Sequence, residues 1–209
     1  MRRFILSVAL SVMPALVMPA QDGWKRLEDP ERIVSLFNEM NSRVVTVDCS
    51  FVEEKYVDVL VDKSVSGGKY HFSAPDSVSV VYDGPDGLSI SVSRGILTVV
   101  TDGRKTEKRL SSDRRFSFLA DMLHSGGIPS EGWQDSFSIE AFENASAYRL
   151  LISRMKSPKK EDIDVMIDRK DMSLVSFMIS DGGSDYTRFT FKDKRIVYAG
   201  DRIPSAYSD

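Results

Sequence analysis

The chain has 209 residues, 42% of them hydrophobic, with 28 basic and 31 acidic residues and a formal charge of −3. This mildly acidic composition, without a basic stripe, argues against nucleic acid as a partner, and the apolar content is too high for a disordered chain. A single cysteine, Cys49, excludes an internal disulfide, so the fold must rest on its core.

Met1 to Ala20 carry the three parts of a secretory signal peptide. Arg2 and Arg3 form a positive end, Phe4 to Val17 an apolar run, and Met18-Pro19-Ala20 a small-residue exit. A membrane-spanning helix needs roughly 20 apolar residues, and this run is shorter and holds Pro14. The expectation is cleavage after Ala20 and a single exported domain over 21–209, with no lipid anchor because no cysteine stands just after the apolar run. Losing Arg2 and Arg3 leaves 26 basic against 31 acidic residues, a charge of −5.

Glu28-Asp29-Pro30-Glu31 sets acids and a proline where a helix begins. Ile33, Val34, Leu36, Phe37 and Met40 then recur at helical spacing, predicting about twelve residues of helix ended by Asn41-Ser42. From Val44 the period becomes two. Val45, Val47, Cys49 and Phe51 share one strand face, and Val57, Val59 and Val61 share a face of the next segment. Gly67-Gly68 reads as a turn. Tyr70 and Phe72, then Val78, Val80 and Tyr82, then Leu88, Ile90 and Val92 alternate with polar residues. Ile96 to Val100 and Arg104 to Leu110 follow across Asp102-Gly103. Such runs broken by glycine turns predict an antiparallel meander.

The segment Arg115 to Leu123 is apolar at helical spacing, preceded by Ser111-Ser112-Asp113 as caps and stopped at Gly126-Gly127-Ile128-Pro129. It reads as a short, unusually apolar helix. Strands resume at Ser136 to Glu140, Ala147 to Ser153, Ile163 to Asp168, Leu174 to Ser180 and Tyr186 to Phe191, with Ile196 to Tyr198 as a further edge strand. The predicted fold is mainly β: a curved antiparallel sheet of about ten strands forming an open β-barrel, with an N-terminal helix and a short apolar helical lid.

Catalytic chemistry finds little material. His71 and His124 are the two histidines. Cys49 shares a face with Val47 and Phe51, which points to an inert buried thiol. Three scattered Cys and His residues do not make a zinc set. Asp83-Gly84-Pro85-Asp86-Gly87 lacks the spaced ligands and closing glutamate of a calcium loop and reads as a hairpin turn. Asn144-Ala145-Ser146 matches a short glycosylation pattern. No enzyme activity, metal or cofactor is expected. The more informative feature is apolar surplus: a curved sheet with one apolar face and an apolar lid makes a greasy cavity, although a lid that simply fills the barrel as core fits the same pattern.

The stretch Val47 to Val100 resembles the periplasmic outer-membrane lipoprotein carrier family, LolA. The likeness runs through Cys49-Ser50-Phe51-Val52-Glu53-Glu54, then Gly68-Lys69-Tyr70-His71-Phe72-Ser73-Ala74-Pro75-Asp76, then Val80-Val81-Tyr82-Asp83-Gly84-Pro85. It continues in the hairpin turning at Arg94-Gly95, the Phe118 to Leu123 helix, and the later strands from Ile163 to Phe191. The resemblance implies an open barrel whose helical lid covers a cavity for acyl chains, a monomer in the periplasm. It implies acylated lipoproteins as cargo, and as partners an inner-membrane release complex and an outer-membrane acceptor. The expected lipid-binding residues are Tyr70, Phe72, Val80, Tyr82, Ile90, Phe116, Phe118, Leu119, Met122 and Leu123. Two positions depart from the family: Ala74 stands where an arginine often precedes the strand proline, with Lys69 or Arg94 as nearby substitutes, and the C-terminal Phe-x-Phe-x-x-Pro ending is missing. A secreted interaction module with a filled barrel, or a carrier of another lipid, is the alternative reading.

Overall fold

The Asp29 side chain accepts the Arg32 amide at 3.1 Å, and Pro30 follows it at the first helical position, where its missing N–H costs nothing. These residues start helix α1 (Pro30–Asn41), which ends as Ser42 donates its amide to Asn38 and Asn41 donates its side-chain amide to the Phe37 carbonyl. The structure is a computed structural model that describes residues 23–60, 62–110, 137–155, 162–180 and 183–201. The predicted helix over 113–124, His124 and the signal segment lie outside the described residues.

Around α1 runs one antiparallel sheet of twelve strands. They are β1 (Lys25–Leu27), β2 (Val44–Val57), β3 (Asp62–Ser73), β4 (Ser77–Tyr82), β5 (Ser89–Ser93), β6 (Ile96–Thr101) and β7 (Arg104–Arg109), followed by β8 (Phe137–Glu143), β9 (Ala147–Arg154), β10 (Asp162–Asp168), β11 (Leu174–Ser180) and β12 (Tyr186–Tyr198). Their order in space is β1-β8-β9-β10-β11-β12-β2-β3-β4-β5-β6-β7. Two local meanders, β2 to β7 and β8 to β12, are thus joined by the long pairing of β12 with β2, from Tyr186 opposite Tyr56 to Tyr198 opposite Val44. β1 lies at one end and β7 at the other, so the sheet is open.

Several expectations change. The described residues form twelve strands, where about ten were expected. β1 is new, and the residues from Ile196 to Tyr198 continue β12 in the interior of the sheet instead of forming an edge. Val57 ends β2, and a 3-10 turn at Asp58–Leu60 replaces the strand expected across Val57 to Val61. Gly67 and Gly68 do not turn the chain; both sit inside β3, paired with Val52 and Phe51. The reason is space. A Cβ on Gly68 would stand 2.1 Å from the Val81 carbonyl oxygen and 2.7 Å from the Phe51 ring, so glycine is there to let Phe51 lie across β3. Asn144 also proves to be a turn residue: its side-chain oxygen accepts the amides of Ser146 and Ala147 at 2.9 and 2.8 Å.

Directly opposed residues of an antiparallel pair share a face, so the registers trace one face through the whole sheet. It carries Leu27, Ala141, Leu150, Val165, Phe177, Phe191, Phe51, Phe72, Val78, Val92 and Leu97 in strand order. α1 packs on its first half, burying Ile33, Val34 and Phe37 against Ala141, Leu150, Ile152, Ile163, Val165, Ile167 and Phe177. Each such side chain contributes about 1.5–3 kcal/mol. The opposite, outer face is polar: Arg149 forks onto Asp164 at 2.6–3.1 Å, Ser153 donates to Asp162, and His71 Nδ1 lies 2.7 Å from Asp48.

Candidate functional site

The second half of the inner face, over β2 to β6, holds its own apolar cluster. Val44, Phe51, Phe72, Val78, Val80, Val92 and Leu97 are its buried members, with Val47, Tyr70, Tyr82, Ile90 and Val99 packed against them. Nothing from α1 belongs to it. Five of the expected lipid-binding residues meet here: Phe72 opposite Val78, Tyr70 opposite Val80, Val80 opposite Ile90, and Tyr82 opposite Gly68. The remaining five, Phe116, Phe118, Leu119, Met122 and Leu123, lie outside the described residues.

Dimensions set what α1 can do. Twelve strands about 4.8 Å apart make a face roughly 50 Å across, whereas a twelve-residue helix is about 18 Å long and 10 Å thick. One helix covers at most about two-fifths of that width. An apolar face of this breadth needs further cover, from its own curvature, from other chain or from a ligand.

Aromatic rings join the two halves. Phe177 stacks on Phe189 at 4.9 Å between centroids, Phe189 lies 5.9 Å from Phe51, and Phe51 meets Tyr82 edge-on at 5.1 Å. Phe191 touches Phe177 at 6.0 Å and Tyr70 at 5.6 Å. These belts include Phe51, Phe189 and Phe191, which were not among the expected site residues. Their alternation was visible in the strands, but their neighbourhood depends on the β12–β2 pairing.

The electrostatics report a dry environment. Burial pushes the Cys49 thiol up to about 12, with nearby Lys194 only partly opposing it. Burial also raises the Tyr70 and Tyr82 hydroxyls, and Glu53 reinforces the effect at Tyr82. A protonated, buried thiol is no nucleophile. Among the described residues no group of three or more His, Cys, Asp or Glu side chains is placed to hold a metal. The outer face has a shallow pocket of about 320 Å³ lined by Ser138, Glu140, Arg149, Asp162, Asp164 and Met178, but its Arg149 is committed to Asp164. Ala74 is exposed and donates its amide to Val45. Of the two candidate substitutes for a basic residue there, Lys69 neighbours inward Tyr70 in β3 and so faces outward, and Arg94 sits in the β5–β6 turn at φ 50°. Neither joins the inner face.

No protein-family model and no curated protein sequence matches the chain. Among solved structures, the chain is similar to a LolA superfamily protein of Nitrosomonas europaea at 9% identity, covering 84% of this chain and 94% of that one with a TM-score of 0.42. It is similar to the lipoprotein LppX of Mycobacterium tuberculosis at 13% identity, covering 82% and 100% with a TM-score of 0.46. It is also similar to a DUF1329 family protein of Desulfovibrio piger at 13% identity, covering 85% and 95% with a TM-score of 0.45. These are likenesses of fold at low identity, and the functional reading rests on this chain's own residues.

Proposed function

We propose that the chain is a non-enzymatic carrier that holds acyl chains against the inner face of its open sheet. The observation that carries this reading is the apolar cluster over β2 to β6, which continues the α1-covered core but takes no residue from α1. Phe72, Val80, Tyr70, Tyr82 and Ile90 would form the wall, and the apolar segment from Phe116 to Leu123 supplies further candidate contacts.

The energetics suit such a ligand. Each CH₂ removed from water contributes about 0.8 kcal/mol, so a sixteen-carbon chain gains on the order of 12 kcal/mol before the cost of lost freedom, itself about 4–15 kcal/mol. One chain would bind weakly to moderately and two or three tightly, a range suited to loading and release. The signal-like first twenty residues and the sequence resemblance support the periplasm as location and acylated lipoproteins as cargo. By the same resemblance, an inner-membrane release complex would load the carrier and an outer-membrane acceptor would unload it.

Uptake of a fluorescent fatty acid by purified, delipidated protein tests the reading. We expect saturable uptake that Val80→Asp reduces at least tenfold and that Ser79→Asp, one position along on the outer face, leaves unchanged. Absence of uptake by the folded wild-type protein would show that the barrel is filled by its own side chains.

A further inference from the structure

The ladder between β12 and β2 skips once, and the skip aims a lysine. Lys192 lies opposite Ser50 and Arg195 opposite Asp48, so Asp193 and Lys194 together oppose Cys49. Two residues against one is a β-bulge, a device that re-aims side chains. Phe191 faces inward, opposite Phe51, and strict alternation from it would turn Asp193 inward and Lys194 outward. Instead Asp193 adopts a φ of 54° and accepts the Ser50 hydroxyl at 2.7 Å on the outer side. Lys194 takes the inner side with Cys49, where burial raises the thiol and the lysine charge opposes it.

The ammonium is half-buried and held by two neutral acceptors. It donates to the Ser173 hydroxyl and, at 3.1 Å, to the Leu174 carbonyl. An ammonium has three donors, and these acceptors use two. Among the described residues no carboxylate pairs with it; Asp171 lies beyond Ser173, whose amide it accepts at 2.9 Å. The flanking side chains on β12, Phe191 and Ile196, pack with the uncovered cluster, and Leu174 packs on the core under α1. A charge partly removed from water among such neighbours calls for an opposite charge.

Lys194 also heads a row that crosses the strands. Cys49 opposes Tyr70, Tyr70 opposes Val80, Val80 opposes Ile90 and Ile90 opposes Val99, and opposed residues share a face. From β12 to β6 this row spans five strand spacings, roughly 24 Å, which accommodates an extended long acyl chain. Resting on the carrier reading, we infer that Lys194 is the head-group anchor of the inner face. It binds the carboxylate or phosphate of an anionic amphiphile whose tail lies across Tyr70, Val80, Ile90 and Val99. A lysine that only ties the turn before β11 to β12 would stabilise the fold without preferring any head group.

Competition against a fluorescent acyl methyl ester bound to the full chain separates these roles. Dodecanoate, dodecyl phosphate and dodecanol compete on wild type, Lys194→Gln, Lys194→Arg and Lys192→Gln. Glutamine keeps a donor for Ser173 without the charge, arginine keeps the charge, and Lys192 is exposed on the outer face. We expect the better anion to displace the probe at about tenfold lower concentration than dodecanol, the scale of one charge-assisted hydrogen bond. Which anion is better distinguishes a fatty-acid carboxylate from a lipid phosphate. The gap closes in Lys194→Gln with dodecanol unchanged and persists in Lys194→Arg and Lys192→Gln. It also survives about 0.5 M salt, because a partly buried pair is screened little. Equal displacement by all three in wild type, an unchanged gap in Lys194→Gln, or equal weakening of all three there overturns the inference and leaves the carrier reading standing. Failure of the probe and every competitor to bind the folded wild type overturns the carrier reading itself.

Discussion

Gly68 shows how one atom can decide a strand. Its missing Cβ makes room for the Phe51 ring and the Val81 carbonyl, while a Cβ on neighbouring Gly67 would find its nearest atoms at 3.5 Å. Gly68→Ala should therefore cost about 1–3 kcal/mol through overpacking, and Gly67→Ala less than 1 kcal/mol; urea unfolding of the two variants checks the contrast. Cys49 carries the second residue-scale prediction. Its thiol is raised to about 12 in the fold, so the unfolded chain ionises first as pH climbs. The stabilising effect is complete below pH 9 and is lost as pH rises through the folded value. Raised Tyr70 and Tyr82 hydroxyls act in the same direction. We expect stability to fall steadily above pH 9, less steeply in Cys49→Ala, and native Cys49 to resist alkylation at pH 8 until the protein is unfolded.

At the scale of elements, α1 is held by one cap and one face. Asp29→Ala removes the acceptor for the Arg32 amide and should cost about 1 kcal/mol, whereas Phe37→Ala, at a side chain 1% exposed, should cost about 3–5 kcal/mol. Thermal denaturation of both variants tests that ranking. The helix was legible in the sequence because its start signals and its 3.6-residue period agree. β4 and β5 were legible through alternation, and β9, β10 and β11 as short apolar runs between turns. β1 was not, since of its three residues only Leu27 packs against the core. The Gly67-Gly68 pair misled because glycine marks a turn and a close backbone approach alike, and the difference lies in Phe51, sixteen or more positions away. Half of the candidate wall could be read as alternating Tyr70, Phe72, Val80, Tyr82 and Ile90. The ring belt through Phe189 and Phe191 requires the strand registers.

At the scale of the molecule, the described residues form a sheet too broad for α1 to cover. The seam between β12 and β2 fuses two local meanders into one continuous apolar surface, and α1 occupies the half nearer β8. This division of labour gives one end a permanent core and leaves the other to be covered by whatever the chain or a ligand supplies. The measurement that bears most directly on it is photolabelling with a diazirine-bearing fatty acid, mapped by peptide mass spectrometry. Label is expected on inward residues of β3 to β6, such as Phe72, Val80, Ile90 and Leu97, competed away by unlabelled fatty acid. Label confined to outward residues such as Ser79, Ser91 or Thr98, or label that excess fatty acid does not displace, would contradict it.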